Sequence, residues 1–313
     1  MSVEIAAVSA FPPAIIGEME KHFTVHCVWD QADKVEAVRP LGGRIRGVAS
    51  GGMVGLSRAM MEALPNLEIC AINGVGLETT DLAFAKERKV TVATAPLLFD
   101  EVADLAMLLA LAACRKLPVA DRFVREGKWP QGQFPLETKF SGKRMGILGL
   151  GRIGIALARR LEGFTDRIAY YDPVPKSGVS YTAAASAMDL ARESDVLFMA
   201  AAGGPAGSGD KPVSRELLEA LGPTGVFVNV ARGWLVDEPA MIELLQNGGL
   251  GAAGLDVFEN EPHVPEAMYA LDNVVLTPHV ASSTVETRRA MGMCVVDNLR
   301  SWFEGKGALT AVN

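Results

Sequence analysis

The sequence predicts an α/β protein with two domains, each built on a parallel β-sheet. Three observations support this prediction. First, short apolar runs alternate with amphipathic stretches over residues 1–97. Second, residues 145–173 follow the order of a strand, a glycine turn, a helix and a second strand. Third, further apolar runs come after residue 173. Such alternation is typical of parallel sheets covered by helices. With 313 residues, the chain is long enough for two sizeable cores.

The first 97 residues predict five strands and three helices. The strands are expected at residues 3–8, 24–28, 45–49, 67–72 and 90–93, and the helices at 12–22, 57–64 and 82–87. Two glycine-rich loops lie at expected carboxyl ends of strands, at 50–55 and 73–76. Ligands of open α/β sheets bind at such ends, and bare backbone amides can hold a carboxylate. The alternative is that both loops are only flexible turns.

The segment between the two predicted sheets starts with a long helix at residues 100–115, which leads into the second domain. Its apolar run at 105–114 is too short to span a bilayer. Residues 116–143 are less regular and contain Trp129 next to a proline. A segment of this kind commonly wraps a partner subunit. Trp129 is a candidate for a pocket, in its own subunit or in a second one, or for a purely structural role.

The glycine turn is the strongest local signal in the chain. After the apolar run 145–148, Gly149 allows a tight turn, Gly151 allows a pyrophosphate to approach the backbone, and Gly154 allows a helix to pack closely on a strand. The helix that follows offers unpaired N–H groups and a partial positive charge to phosphates. A second strand at 167–171 ends at Asp172, where a ribose-binding acid is expected. The pattern predicts dinucleotide binding, the alternative being a structural turn.

Candidate catalytic side chains follow the later predicted strands, at 196–201, 226–230, 251–257 and 274–276; a final helix at 283–303 is expected to return to the first domain. Arg232 offers a planar fork of donors that matches a carboxylate or a polarised carbonyl. Asp256 and Glu261 lie at the end of another strand, and His279 is the best placed of the four histidines for acid/base chemistry. Taken singly, each of these residues is more typical of a structural or solvated role than of a catalytic one.

Composition excludes several classes of function. A net charge of −7 gives no general attraction to nucleic acid or to acidic membranes. The four cysteines are scattered, which fits buried thiols in a reducing compartment better than disulfides or a metal site. The first residues contain Glu4 and no basic stretch, so a signal peptide is not expected and we predict a cytoplasmic protein.

Long stretches of both predicted domains resemble the D-2-hydroxyacid dehydrogenases, and most closely the branch with hydroxyphenylpyruvate reductases and glyoxylate/hydroxypyruvate reductases. The stretches are VADLAMLLALAA at 102–113, TKFSGKRMGILGLGRIG at 138–154, SDVLFMAA at 194–201, NVARG at 229–233, GLDVFENEPHVPE at 254–266 and NVVLTPHVASSTVETR at 273–288. The resemblance implies a flavodoxin-like substrate domain at 1–97 plus 285–313, a Rossmann domain at 98–284, and an active site in the cleft between them.

The resemblance also implies roles for individual residues. Arg232 would bind substrate, His279 would be the acid/base, and Glu261 would be its partner. We expect cofactor contacts from Gly149, Gly151, Arg152, Ile153, Gly154, Asp172, Lys176, Ala231 and Asp256, the last near the nicotinamide amide. We expect substrate contacts from Ser50, Gly51, Gly52, Gly74, Val75, Gly76, Arg232 and His279. The loop 50–55 would shape the pocket for the substrate side chain, and this pocket loop, with Met53 and Leu56, admits either a small substrate or a larger aryl one.

The implied reaction is hydride transfer from NAD(P)H to a 2-oxo acid, with protonated His279 donating to the carbonyl oxygen. Glu261 would stabilise the imidazolium and orient its ring. Asp172 favours NADH, because a carboxylate accepts from a ribose 2′-hydroxyl and repels a 2′-phosphate. Lys176, Ser177 and Arg152 keep NADPH possible. The segment 200–211 departs from the usual pattern of the branch, so its contacts with the cofactor are in question.

Several alternatives stay open at this point. The substrate can be glyoxylate, hydroxypyruvate or an aryl pyruvate, or another small anion such as phosphoglycerate, formate or phosphite. A non-enzymatic dinucleotide sensor is also possible, although a sensor need not keep Arg232, Glu261 and His279 together. The resemblance implies a homodimer formed through the cofactor domain and the segment 116–140.

Overall fold

The computed structural model describes residues 2–97, 99–174, 176–201 and 211–313. The chain divides into two compact units. The first unit comprises Met1–Leu98 and Ser283–Asn313, and the second comprises Phe99–Ser282. Both contain a parallel sheet with helices, which confirms the predicted α/β fold class. In the described part of the chain, no helix is both long and apolar enough to cross a membrane.

The first unit contains a five-stranded parallel sheet in the order β2-β1-β3-β4-β5. Its elements are β1 Val3–Ala7, α1 Pro13–Glu20, β2 Phe23–Cys27, α2 Lys34–Val38, β3 Ile45–Gly51, α3 Arg58–Ala63, β4 Ile69–Asn73, α4 Leu82–Glu87, β5 Thr91–Thr94 and, at the end of the chain, α11 Val285–Phe303. Side chains alternate across each strand, so Ile5 packs in one core cluster with Leu299 of α11, while Ala6 packs in another with Met61 of α3. Helices therefore cover both faces of the sheet, as a parallel sheet requires.

The second unit contains a seven-stranded parallel sheet in the order β12-β11-β10-β9-β6-β7-β8. Its elements are α5 Asp100–Cys114, α6 Leu117–Arg125, β6 Met145–Leu148, α7 Arg152–Leu161, β7 Ile168–Tyr171, β8 Thr182–Ala183, α8 Ala187–Arg192, β9 Val196–Met199, α9 Arg215–Leu221, β10 Val226–Asn229, α10 Glu238–Asn247, β11 Ala252–Leu255 and β12 Val274–Leu276. The order runs outward from β6 in both directions. The chain leaves β6 toward β7 on one side and continues with β9 on the other. The carboxyl ends of the neighbouring strands β6 and β9 therefore form the topological switch point, where doubly wound sheets bind dinucleotides.

Three expectations about local structure were wrong. The structure has α2 at Lys34–Val38, where Asp33 caps the helix by accepting from Val35 N and Glu36 N. It has α6 within the stretch 116–143 that was expected to be less regular; this helix has an apolar stripe but no buried residue. The two-residue strand β8 was not predicted at all.

The cysteines also differ from expectation. Cys70 and Cys114 are buried and Cys294 is half-buried, but Cys27 is exposed because it ends β2, the edge strand of its sheet. Burial raises the pKa of the Cys114 thiol to about 11, which keeps it protonated at neutral pH.

Candidate active site

The glycine turn lies at the carboxyl end of β6, at the switch point of the second sheet. Gly149 has a φ of +90°, and a Cβ on Gly154 would lie 2.2 Å from the carbonyl oxygen of Gly149. A Cβ on Gly151 would meet no atom of the described residues within 4 Å, so none of them fills the space in front of the first turn of α7. Arg152 and Ile153 begin that helix. The turn thus has the open backbone and the helix N-terminus that a pyrophosphate needs.

Asp172 lies one residue beyond β7 and is bonded to the glycine turn. Its carboxylate accepts from Leu150 N at 2.9 Å and from Val174 N at 2.9 Å, and Lys176 Nζ lies 3.1 Å away. Although burial opposes ionisation, the two backbone N–H groups and the Lys176 ammonium hold the pKa of Asp172 below its usual value. The structure therefore places an anchored negative charge at the position predicted for the ribose-binding acid.

His279 and Glu261 form a hydrogen-bonded pair in the second unit. His279 Nδ1 lies 2.6 Å from Glu261 Oε2, and Glu261 Oε1 accepts from Phe258 N at 3.1 Å. Burial raises the pKa of the Glu261 carboxyl, but the hydrogen bonds from His279 and Phe258 and the charge of Arg232 outweigh it, so the net pKa is lowered. Because Nδ1 is bonded to the carboxylate, the other ring nitrogen of His279 is left for a ligand.

Asp256 organises the loop that carries His279. Its side chain is fully buried and accepts from Thr277 Oγ1 at 2.7 Å, Val280 N at 2.8 Å and Ala281 N at 3.0 Å. His279 N donates to the main-chain oxygen of Asp256, and His279 has a φ of +51°, which is uncommon for a residue other than glycine. The carboxylate expected near the nicotinamide amide is thus already bonded to three protein donors and fixes the backbone on both sides of His279.

Arg232 follows β10, and its loop packs directly against the loop that carries Glu261. Asn229 closes the turn by donating to the carbonyl of Arg232 and accepting from Ala231 N, each at 3.0 Å. A Cβ on Gly233 would lie 1.8 Å from the carbonyl carbon of Phe258, so only glycine fits between the two loops. This close packing holds the arginine loop against the loop of the glutamate.

Trp234 is a neighbour of Arg232 that sequence reasoning missed. The guanidinium carbon of Arg232 lies 5.9 Å from the centre of the Trp234 ring, at the outer limit of a cation–π contact. The indole Nε1 is buried and donates to no described residue. A tryptophan two positions after a candidate substrate arginine was the only sequence signal for this contact.

The two glycine loops of the first unit lie side by side at the carboxyl ends of β3 and β4. A Cβ on Gly74 would lie 3.7 Å from Gly52 Cα, and Thr79 Oγ1 donates to the carbonyl of Gly52 at 2.7 Å. Among the described residues, the N–H groups of Gly52, Val75 and Gly76 donate no hydrogen bond. The loops therefore present several unpaired amides along one edge of the sheet.

Other predicted positions have different surroundings. Ser50 is fully buried and donates to the carbonyl of Gly55 at 2.7 Å, and Gly51 N donates to Ser9 Oγ. Leu56 is fully buried in the core, so the expectation that it shapes the pocket was wrong. Trp129 is 67% exposed. Of the segment expected to depart from the family pattern, residues 202–210 lie outside the described part of the chain.

The doubly wound sheet, the glycine turn at its switch point and the histidine–carboxylate pair beyond neighbouring strands define a dinucleotide-dependent oxidoreductase of the Rossmann class. Residues 107–281 match the NAD binding domain of the D-isomer specific 2-hydroxyacid dehydrogenases. The chain belongs to this family, which confirms the resemblance seen in the sequence, and its cofactor is a nicotinamide dinucleotide.

Relatives of known activity cover nearly the whole chain. A glyoxylate/hydroxypyruvate reductase A from Arabidopsis thaliana is 46% identical over 94% of both chains, and a hydroxyphenylpyruvate reductase from Plectranthus scutellarioides is 45% identical over 94% of both. A solved structure of an NADPH-dependent glyoxylate/hydroxypyruvate reductase from Sinorhizobium meliloti, in complex with NADP and malonate, is 41% identical with a TM-score of 0.91. The match covers 100% of this chain and 97% of the chain in that structure.

Proposed function

We propose that the protein reduces a 2-oxo acid to the D-2-hydroxy acid with a nicotinamide dinucleotide, and that His279 is the acid/base. The observation that carries the proposal is the 2.6 Å contact between His279 and Glu261 in the unit that also bears the glycine turn and Arg232. The reductase activities of the Arabidopsis and Plectranthus relatives support the same substrate class.

The charge of each side chain determines its role in the reaction. A nicotinamide dinucleotide held at the glycine turn would supply the hydride. His279 donates a proton from its free ring nitrogen to the carbonyl oxygen of the substrate, and the Glu261 carboxylate stabilises the positive imidazolium and fixes its ring. Arg232 pairs with an oxygen of the 2-oxo acid. In the loop that the family resemblance assigns to the carboxylate, Gly74 N already donates to the carbonyl of Ile72 at 2.9 Å, so the amides of Val75 and Gly76 hold it.

We further propose that NADH is preferred over NADPH. The Asp172 carboxylate accepts two backbone hydrogen bonds, so turning it away from a 2′-phosphate would break both. The S. meliloti relative uses NADPH, and Lys176 offsets part of the charge here, so the preference needs a direct test. Replacing Asp172 with serine should lower kcat/KM for NADH and raise it for NADPH. A wild-type enzyme that favours NADPH would refute this assignment.

The test of the function is initial-rate oxidation of NADH and NADPH with glyoxylate, hydroxypyruvate and phenylpyruvate. His279→Gln should lose about 10²–10⁴-fold in kcat and still bind the dinucleotide. His22→Gln is the matched control, because His22 is an exposed histidine of the first unit. Wild-type protein that binds a dinucleotide but turns over none of the three acids would exclude the proposal and favour another small anion or a sensing role.

We propose a homodimer assembled through the segment 116–140. In this segment α6 has no buried residue, and Leu117, Val124, Trp129 and Leu136 are all more than half exposed, a clustering of apolar side chains that favours a protein interface. Light scattering should give twice the 33.2 kDa mass of one chain. The double variant Val124→Asp/Leu136→Asp should give the mass of a single chain. A wild-type mass of 33.2 kDa would contradict this. The cytoplasmic location expected from the sequence stays a prediction.

A further inference from the structure

One peptide group joins the segment that carries Arg232 to the segment that carries Glu261. It is the peptide between Phe258 and Glu259. A Cβ on Gly233, the residue after Arg232, would lie 1.8 Å from the carbonyl carbon of Phe258 and 2.3 Å from Glu259 N. The backbone of the arginine segment therefore packs on this peptide with no room for a side chain between them.

The side chain of Glu238 bonds to the same peptide group. Glu238 is the first residue of α10 and is only 7% exposed, and its Oε2 accepts from Glu259 N at 3.1 Å. The preceding amide, Phe258 N, donates to Glu261 Oε1 at 3.1 Å. Two consecutive amides therefore each donate to a carboxylate, one to Glu261 and the next to Glu238.

The carboxylate of Glu238 lies in surroundings that do not favour a charge. Burial raises the pKa of the Glu238 carboxyl, and the hydrogen bond from Glu259 N and the charge of Lys211 reverse only part of that rise. At buried sites, an apolar side chain of similar volume is often at least as stabilising as a charged one. What an apolar side chain would not supply at this position is an acceptor for Glu259 N.

The hold on this peptide extends to the histidine pair. A peptide group is planar, so an acceptor that fixes Glu259 N also fixes the carbonyl of Phe258. Glu261 follows two residues later, and one of its oxygens lies 2.6 Å from Nδ1 of His279. Because a misplacement of about 1 Å costs up to about 100-fold in rate, small shifts of this backbone matter for catalysis.

We infer that Glu238 is a positioning residue for the reaction, which acts on Glu261 through the peptide between Phe258 and Glu259. This inference rests on the proposed function of His279 and Glu261. Glu238 itself bonds to neither of these two side chains. Its carboxylate holds the backbone from which Glu261 reaches the histidine.

The test compares two replacements of similar length, Glu238→Gln and Glu238→Met. Glutamine keeps an oxygen that accepts from Glu259 N, whereas methionine fills the space without an acceptor. In Glu238→Met, kcat for the best 2-oxo acid should fall about three- to tenfold, the effect of losing one hydrogen bond, and in Glu238→Gln it should stay within about twofold of the wild type. The dissociation constant of the dinucleotide should change in neither variant. Glu243→Met is the control, because Glu243 is a 60% exposed acid of the same helix that pairs with Arg215.

A double variant tests whether Glu238 acts through Glu261. Glu261→Ala leaves no carboxylate to position, so adding Glu238→Met to it should change kcat by less than about twofold. Two losses that multiply in the double variant would instead show independent effects.

The outcomes separate the two proposals. An unchanged kcat in Glu238→Met, equal losses in Glu238→Met and Glu243→Met, or independent effects in the double variant would overturn the role of Glu238 while leaving the reductase function intact. A loss of more than about twofold in Glu238→Gln would overturn the role of the acceptor by itself, even if the methionine variant did not fold. Failure of the wild type to reduce any 2-oxo acid would instead refute the proposed function.

Discussion

Replacing Glu261 with glutamine should impair the acid/base role of His279 while leaving the fold in place. In the wild type, one carboxylate oxygen faces Nδ1 of His279 at 2.6 Å and the other accepts from Phe258 N at 3.1 Å. A glutamine can reproduce only one of these acceptors. If its oxygen faces the histidine, its NH₂ group opposes the N–H of Phe258; if it faces Phe258, the NH₂ group opposes the donor on the imidazolium.

The size of the effect follows from the lost charge. A hydrogen bond to a charged group contributes about 1.5–3 kcal/mol, and the lower half of that range applies because His279 is 38% exposed and partly screened by water. At about 1.4 kcal/mol for each factor of ten, kcat should fall about 10- to 50-fold. The dissociation constant of the dinucleotide should not change, since Glu261 bonds within its own loop region and not to the glycine turn.

The assay is steady-state reduction of the best 2-oxo acid together with dinucleotide binding followed by fluorescence. Glu259→Gln is the matched control, because it removes an acid two residues away that pairs with Lys211 at 2.8 Å and not with the histidine. An equal loss of kcat in both variants, or a loss below threefold in Glu261→Gln, would refute the role given to the pair.

The pH dependence of stability gives a second test of the same pair. The pKa of Glu261 is lowered on folding, so its stabilising contribution is fully present above the ordinary value of 4.5 and is lost as the pH falls through the lowered pKa. The melting temperatures of the wild type and Glu261→Gln should therefore differ at pH 7 and converge below pH 4.5. A difference that persists at low pH would contradict the charge-based explanation.

Three further predictions concern other parts of the second unit. Gly154→Ala should lower the melting temperature, because its Cβ would overlap the carbonyl oxygen of Gly149, and overpacking costs about 1–3 kcal/mol. Gly151→Val should leave the melting temperature unchanged but weaken dinucleotide binding, which calorimetry measures. Trp234→Leu should raise KM for the 2-oxo acid about two- to fivefold without changing cofactor affinity, the effect of losing a cation–π contact of about 0.5–1 kcal/mol; an unchanged KM would exclude the contact. Asp195→Asn should lower the melting temperature at pH 7, and the difference should shrink as the pH falls below 3.8, because the hydrogen bond from Arg144 lowers the pKa of Asp195 on folding.

Much of the fold could be predicted because its signals are local. The strands β6 and β10 are short apolar runs ended by turn residues, and the spacing of Gly149, Gly151 and Gly154 reports a geometry that six residues complete on their own. The helix α6 was missed because it has only nine residues, carries a proline in its first turn and buries no residue, so the sequence around it resembles a loop.

The arrangement of the candidate site depends on contacts between distant residues, and these left little trace in the sequence. Thr79 lies three residues after the second glycine loop, and its hydroxyl donates to the carbonyl of Gly52 in the first loop, 27 positions away. Asp256 accepts from Val280 N across 24 positions of the sequence and so bonds the backbone next to His279, the residue with the positive φ. Residue identity pointed to Asp256 and His279, but only the folded chain shows that one positions the other.

The most direct test of the reductase function is to follow deuterium from NADH labelled at C4 of the nicotinamide, in the position that the enzyme transfers, into the product. We expect the 2-hydroxy acid formed from phenylpyruvate to carry one deuterium at C2 and to have the D configuration, and His279→Gln to form it about 10²–10⁴-fold more slowly. A product without deuterium at C2, or one of L configuration, would contradict the proposed hydride transfer or its stereochemistry.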